Sequence, residues 1–117
     1  MCPHLIPYNF SLLRERQKKN RFQKARVVTE KLVSILAEKY GVKKIVLIGS
    51  CLDEEHFHSR SDIDLCVEGL ADSDYFRALG DLLAESEEFG VDLIPMEGAT
   101  ERMQNYYAEG RVVHERK

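Results

Sequence analysis

The sequence lacks the features that mark a membrane protein, a secreted protein or a metal-stapled scaffold. Its longest apolar run is Ile45-Val46-Leu47-Ile48, far short of the roughly 20 residues a bilayer-spanning helix needs. The start, Met1-Cys2-Pro3-His4-Leu5-Ile6-Pro7, has no basic stretch followed by a long apolar one, so no secretory signal is expected. The three cysteines, Cys2, Cys51 and Cys66, form no CxxC pair. An odd count without a signal points to reduced thiols and a cytoplasmic location. There is no internal repeat, low-complexity tract or interdomain linker, so a single domain over residues 1–117 is expected. Hydrophobic residues at 44% and charged residues at 32% are ordinary for a folded chain and exclude a disordered one.

Charge is present but unevenly placed. The net charge is −3. Residues 14–31 carry Arg14, Arg16, Lys18, Lys19, Arg21, Lys24, Arg26 and Lys31 against Glu15 and Glu30. Residues 53–101 are acidic, with Arg60 and Arg77 as their only basic residues. A basic helix can face phosphates or an acidic partner, although a solvated face is the plainer reading. With no aromatic-rich nucleic-acid motif and a negative total, direct nucleic-acid binding is not expected.

Periodicity predicts a helix over residues 10–40. Phe22, Ala25, Thr29, Leu32 and Leu36 recur at steps of three and four, and Gly41 is a natural stop. The stretch 14–21 has no apolar residue, so it is either a projecting helix or a break. Residues 44–48 read as a buried strand ended by Gly49-Ser50, and residues 51–61 as a polar loop. Residues 63–68 alternate, with Ile63, Leu65 and Val67 on one side and Asp62, Asp64 and Cys66 on the other. Asp72 or Ser73 is expected to cap a helix whose apolar side is Tyr75, Phe76, Leu79, Leu82 and Leu83. Residues 91–95 form a third strand. Residues 100–109 form a helix with Met103, Tyr106 and Tyr107 turned inward, and residues 111–114 a short edge strand. The order implies an α/β (α+β) fold, a mixed sheet with helices packed against it.

Three features on these strands carry chemistry. Gly49-Ser50 ends a buried strand, where exposed amides and a hydroxyl can bind a phosphate anion. Asp62 and Asp64 are spaced i, i+2, so both carboxylates leave one face. Two carboxylates so close do not both stay ionised without a cation, and magnesium takes one or two carboxylates together with substrate phosphates. Asp92 interrupts the apolar strand Val91-Asp92-Leu93-Ile94, a costly position unless it meets a cation or donors. If that strand lies beside residues 63–68, Asp92 joins Asp62 and Asp64. Three carboxylates can hold two magnesium ions, the layout for in-line phosphoryl chemistry. Cys51, His56 and His58 share a loop, but their spacing matches no common zinc site; contact of either histidine with a triphosphate is the better expectation. Cys66 reads as a small buried filler.

Gly49-Ser50, Ser61-Asp62-Ile63-Asp64-Leu65 and Val91-Asp92-Leu93-Ile94 resemble the DNA polymerase beta nucleotidyltransferase superfamily. They are most similar to its minimal nucleotidyltransferase (MNT) branch, the antitoxin half of pairs with HEPN-domain toxins. The resemblance spans roughly residues 25–116, and residues 107–115 look like that branch's tail. It implies the nucleotidyltransferase fold, ATP as substrate, and transfer of AMP with release of pyrophosphate. It makes Asp62, Asp64 and Asp92 the catalytic and magnesium-binding carboxylates, Asp92 helping to activate the acceptor hydroxyl. It makes Gly49 and Ser50 the triphosphate cradle, and a tyrosine of a partner HEPN toxin the acceptor. The chain departs from the pattern in two ways. Residues 51–61 number eleven, where about ten is usual, and Asp53-Glu54 stand where the family tends to place Arg-Gly. Arg60, or Lys24 or Arg26 of the basic helix, is the expected compensating cation. Three alternatives stay open: a degenerate module that neutralises a partner by contact, a nucleotidyltransferase for a small aminoglycoside-like molecule, and a magnesium-dependent nucleotide sensor.

Overall fold

The computed structural model describes the backbone of residues 5–116 and the side chains of residues 12–116. Cys2 lies outside the described residues; Cys51 and Cys66 are buried free thiols.

Helix α1 runs unbroken over Leu5–Ser34 and widens into a π-turn at Ile35–Lys39. Gly41, at φ +61°, turns the chain, a conformation that costs glycine least. The expected stripe is inward: Phe22, Ala25, Val28, Thr29, Leu32 and Leu36 are buried. The Thr29 hydroxyl is satisfied within the helix, donating to the Ala25 carbonyl at 2.7 Å, the usual way a buried threonine avoids an unpaired polar group. The charged stretch is a projection and not a break. No residue from 12 to 20 is buried, and packing begins at Phe22.

Strands β1 (Lys44–Ile48), β2 (Ile63–Glu68), β3 (Val91–Pro95) and β4 (Arg111–Glu115) form one sheet in the order β3-β2-β1-β4. β1 is antiparallel to both β2 and β4. β2 and β3 are parallel, because helix α2 (Tyr75–Glu85) carries the chain back between them. β1 is central, and its residues 45–48 are buried on both faces, which is why it reads as an uninterrupted apolar run.

The two sheet faces have separate cores. On one, Ile45, Leu47, Ile63, Leu65, Val67 and Leu93 pack with α1 and with Ala78 and Leu82 of α2. On the other, Val46, Ile48 and Cys66 are covered by Ile94, Met96, Met103 and Tyr107. The last two belong to α3 (Glu101–Glu109). Thr100 caps α3, its hydroxyl accepting from the Met103 amide at 3.3 Å. The Tyr107 hydroxyl donates to Glu68 at 2.6 Å and ties the helix to β2.

Three expectations need correction. Neither Asp72 nor Ser73 caps α2. Both sit in a 3-10 turn, and Asp74 occupies the cap position without a side-chain bond. The inward stripe of α2 is Tyr75, Ala78, Leu79 and Leu82, leaving Phe76 82% and Leu83 49% exposed. A helix presents only about 100° of its surface to the core, and the small Ala78 claims the closest approach. Tyr106 points outward under the Arg102 guanidinium, 5.7 Å from its ring centre, while Met103 and Tyr107 turn in.

Candidate active site

β1 ends at Gly49, where the backbone reaches φ +83°. A Cβ at this position would overlap the Asp64 carboxylate. Glycine is therefore required twice, by conformation and by close approach. The chain continues as a 3-10 turn over Gly49–Leu52. The Ser50 hydroxyl donates to the Ser61 hydroxyl at 2.8 Å. Ser61 is buried, and its oxygen also accepts from the His58 amide at 2.8 Å. The Cys51 thiol donates to the Asp62 carbonyl at 3.2 Å. The turn after β1 is thus bonded directly to the start of β2.

The loop between them is anchored by a residue that sequence reasoning passed over. Phe57 is buried and stacks edge-on against Phe22 of α1 at 5.5 Å and Phe89 at 6.5 Å. A lone aromatic in an otherwise polar loop was its only signal. Arg21 adds a clamp, donating to Glu88 at 2.8 Å and to the Ser59 carbonyl at 3.4 Å, with its guanidinium over the Phe89 ring.

Asp62, Asp64 and Asp92 meet at this end of the sheet. Asp64 and Asp92 are partners in the parallel β2–β3 register. Asp62 lies over Gly90, where a Cβ would overlap its carboxylate. Gly90 also accepts the Ile63 amide at 2.9 Å. Asp64 is half-buried while Asp62 and Asp92 are exposed. Burial pushes the Asp64 carboxyl up to about 7, helped by the charge and hydrogen bond of Asp92 and by the charge of Asp62. The same field reaches Cys51, whose thiol is raised to about 11 by burial and then by Asp64 and Asp62.

Among the described residues no three His, Cys, Asp or Glu side chains are grouped so as to hold a metal ion together. Magnesium does not require such a group, because it takes one or two carboxylates and completes its shell with water and substrate phosphate oxygens. A half-buried carboxyl that keeps its proton toward neutrality is a group a cation would discharge. The donor set fits magnesium on those terms.

The candidate cations divide. Lys24 is engaged elsewhere, pairing with Glu88 at 2.8 Å and Glu87 at 3.6 Å. Arg60 is exposed, and its amide donates to His58 Nδ1 at 3.1 Å. Arg26 lines a small cavity of about 130 Å³ beside Cys51, shared with Arg111. Arg111 donates to the Leu52 carbonyl at 3.1 Å and so braces the turn after Ser50. Sequence reading missed it, because pairing of β4 with β1 is what carries it there. His56 is exposed and bonded to Asp53 at 2.7 Å. The His56 backbone amide, donating to Asp53 at 2.8 Å, and then the ring contact hold the Asp53 carboxyl below its usual range.

Residues 30–117 match the family model described as "Polymerase beta, Nucleotidyltransferase". The chain belongs to the polymerase beta nucleotidyltransferase family. No curated protein matches it in sequence. Among solved structures, the nucleotidyltransferase fold recurs in a chain of the toxin–antitoxin pair MntA–HepT carrying two Asp-to-Glu substitutions. There the TM-score is 0.62 at 19% identity, over 75% of this chain and 73% of that one. A toxin–antitoxin structure with AMP-PNP gives 0.61 at 21% identity, over 75% and 74%. A tri-AMPylated Shewanella oneidensis HEPN toxin in complex with its MNT antitoxin gives 0.58 at 20% identity, over 79% and 73%. At these identities the likeness shows the fold. Among the described residues, no helix is long and apolar enough to cross a membrane.

Proposed function

We propose that the chain transfers AMP from ATP to a protein hydroxyl, as the antitoxin partner of a HEPN-type toxin whose tyrosine is the acceptor. The observation that carries the reading is the placement of Asp64 beside Asp92, with Asp62 adjacent, at the mouth of the Gly49–Ser50 turn. The family match and the fold shared with MNT antitoxins support it.

Each residue then has a task. The Gly49–Ser50 turn offers backbone amides and a hydroxyl to the triphosphate. The bond from Ser50 to Ser61 fixes where the Ser50 oxygen sits, and its single hydrogen turns from Ser61 to a phosphate oxygen when the triphosphate binds. Asp62 and Asp64 would hold magnesium, which when bound would supply the positive charge the triphosphate and leaving group need. Asp92 accepts the proton of the attacking hydroxyl. The acceptor oxygen bonds to the α-phosphorus, the bridging P–O bond toward the β-phosphate breaks, and pyrophosphate leaves. Arg111 braces the turn through Leu52.

The test is transfer of label from α-labelled ATP to a co-expressed HEPN-type partner, with mass spectrometry of the modified residue. The reading expects AMP on a partner tyrosine, lost in Asp62→Asn/Asp64→Asn while the complex still forms. One observation favours a second reading. Asp53 and Glu54, both exposed, follow the turn with negative charge, which repels a triphosphate. Neutralisation of the partner that survives the double substitution intact would establish inhibition by contact.

A further inference from the structure

We infer that the projecting N-terminal half of α1 is a docking surface for an acidic face of the acceptor protein, an inference that rests on the protein-acceptor reading above. Several independent observations meet there. The family match begins at residue 30, so this half of the helix lies outside the shared domain. Every residue from 12 to 20 is exposed, including Leu12 at 49% and Leu13 at 53%. A helical stretch with no buried residue from 12 to 20 is marginal in water, and Leu12 and Leu13 gain only when something covers them. Arg16, Lys18 and Lys19, with Glu15 the one acid beside them on the helix, line a cleft of about 700 Å³ together with Leu12. Their positive charge is the reverse of the acidic remainder of the chain.

Position ties the cleft to the site. Its far wall is Glu54 and Glu55, in the loop that joins Ser50 to Asp62. Phe57 of the same loop packs on Phe22, where the projection begins. The basic helix therefore projects beyond the end of the sheet at which Asp62, Asp64 and Asp92 lie, from the sheet face opposite their carboxylates. That end repels an acidic partner, and cations beside it are needed to hold one. The opposed walls also select the class of partner. A nucleic-acid backbone is negative throughout and is repelled by Glu54 and Glu55. A protein surface can present acids to the helix and bases to the loop.

The test uses direct binding, so it does not depend on transfer. Fluorescence anisotropy is measured with a labelled tyrosine-containing peptide that carries a Glu block followed by a Lys block, and with poly(U) RNA bearing as many negative charges as the Glu block. The proteins are the wild type, Arg16→Gln/Lys18→Gln/Lys19→Gln, and the control Arg77→Gln/Arg102→Gln. All the replaced side chains are exposed, and unchanged thermal unfolding verifies the fold. The peptide is expected to bind the wild type and the control alike, and the triple variant about tenfold more weakly. Equal peptide binding by all three proteins, or tighter binding of poly(U) than of peptide, overturns the proposal. So does self-association in sedimentation that the triple variant abolishes, because the occupant is then a second copy. Loss of peptide binding in the triple variant, with no AMP transfer by any protein, upholds docking while the transfer reading fails.

Discussion

Asp64 and Asp92 stand side by side on parallel strands, and Asp64 holds its proton toward neutrality because burial, and then Asp92, disfavour its charge. The pair is a strained element of the metal-free fold, and the strain has a sign. The folded pKa of Asp64 lies above its unfolded value, so its contribution to stability is fully present below about pH 4 and is lost as pH rises through about 7. Asp64→Asn removes this dependence. Without metal, the variant is expected to gain on the order of 1 kcal/mol over the wild type between pH 5 and pH 8, after discounting for solvent screening. Denaturant titrations of both proteins at the two pH values measure it. A stability difference independent of pH would refute the assignment.

The three carboxylates are expected to separate in kinetics. Calorimetry of ATP with magnesium should show binding by the wild type and its loss in Asp62→Asn/Asp64→Asn. Asp92→Asn should keep ATP binding and lower the transfer rate by about 10²–10⁴-fold, the usual size of a general-base contribution. A variant that loses ATP binding as well would move Asp92 from proton acceptance to ligand binding.

Two glycines test the geometry without touching a carboxylate. Gly49→Ala combines a strained φ with overlap of Asp64, and should cost about 1–3 kcal/mol of stability along with magnesium-dependent ATP binding. Gly90→Ala has no φ penalty but displaces the Asp62 carboxylate. Its expected signature is weaker magnesium-dependent binding with a smaller loss of stability. Thermal unfolding and calorimetry on the two variants distinguish these outcomes.

Phe57→Ala should cost about 3–5 kcal/mol, the range for emptying a buried phenylalanine site. The edge-on contacts with Phe22 and Phe89 make that loop part of the core. Unfolding in urea measures the loss. A cost below about 1 kcal/mol would mean that the loop collapses onto the gap.

Much of the site was legible along the chain because strand alternation is a local property. Asp62, Asp64 and Cys66 share a face whatever the rest of the molecule does, and the apolar run before Gly49 could only be a buried strand. The inward stripe of α1 was legible for the same reason. The facing of α2 was not. Tyr75, Phe76, Leu79, Leu82 and Leu83 are all apolar, and only Ala78 pressed to the sheet decides that Phe76 and Leu83 stay outside. The loop anchors Phe57 and Ser61, and the brace from Arg111, left almost no local signal because their partners are far away in sequence.

By itself the sequence determined the strands, their phases, and the three carboxylates with the Gly49–Ser50 turn, all set by backbone geometry over a few residues. The tertiary structure decided that β3 lies parallel beside β2 with Asp92 level with Asp64. It also decided that β4 brings Arg111 to the turn, and that residues 12–20 of α1 stand clear of the core. These are pairings between distant segments, chosen by the burial of whole sheet faces and not by any single stretch of chain.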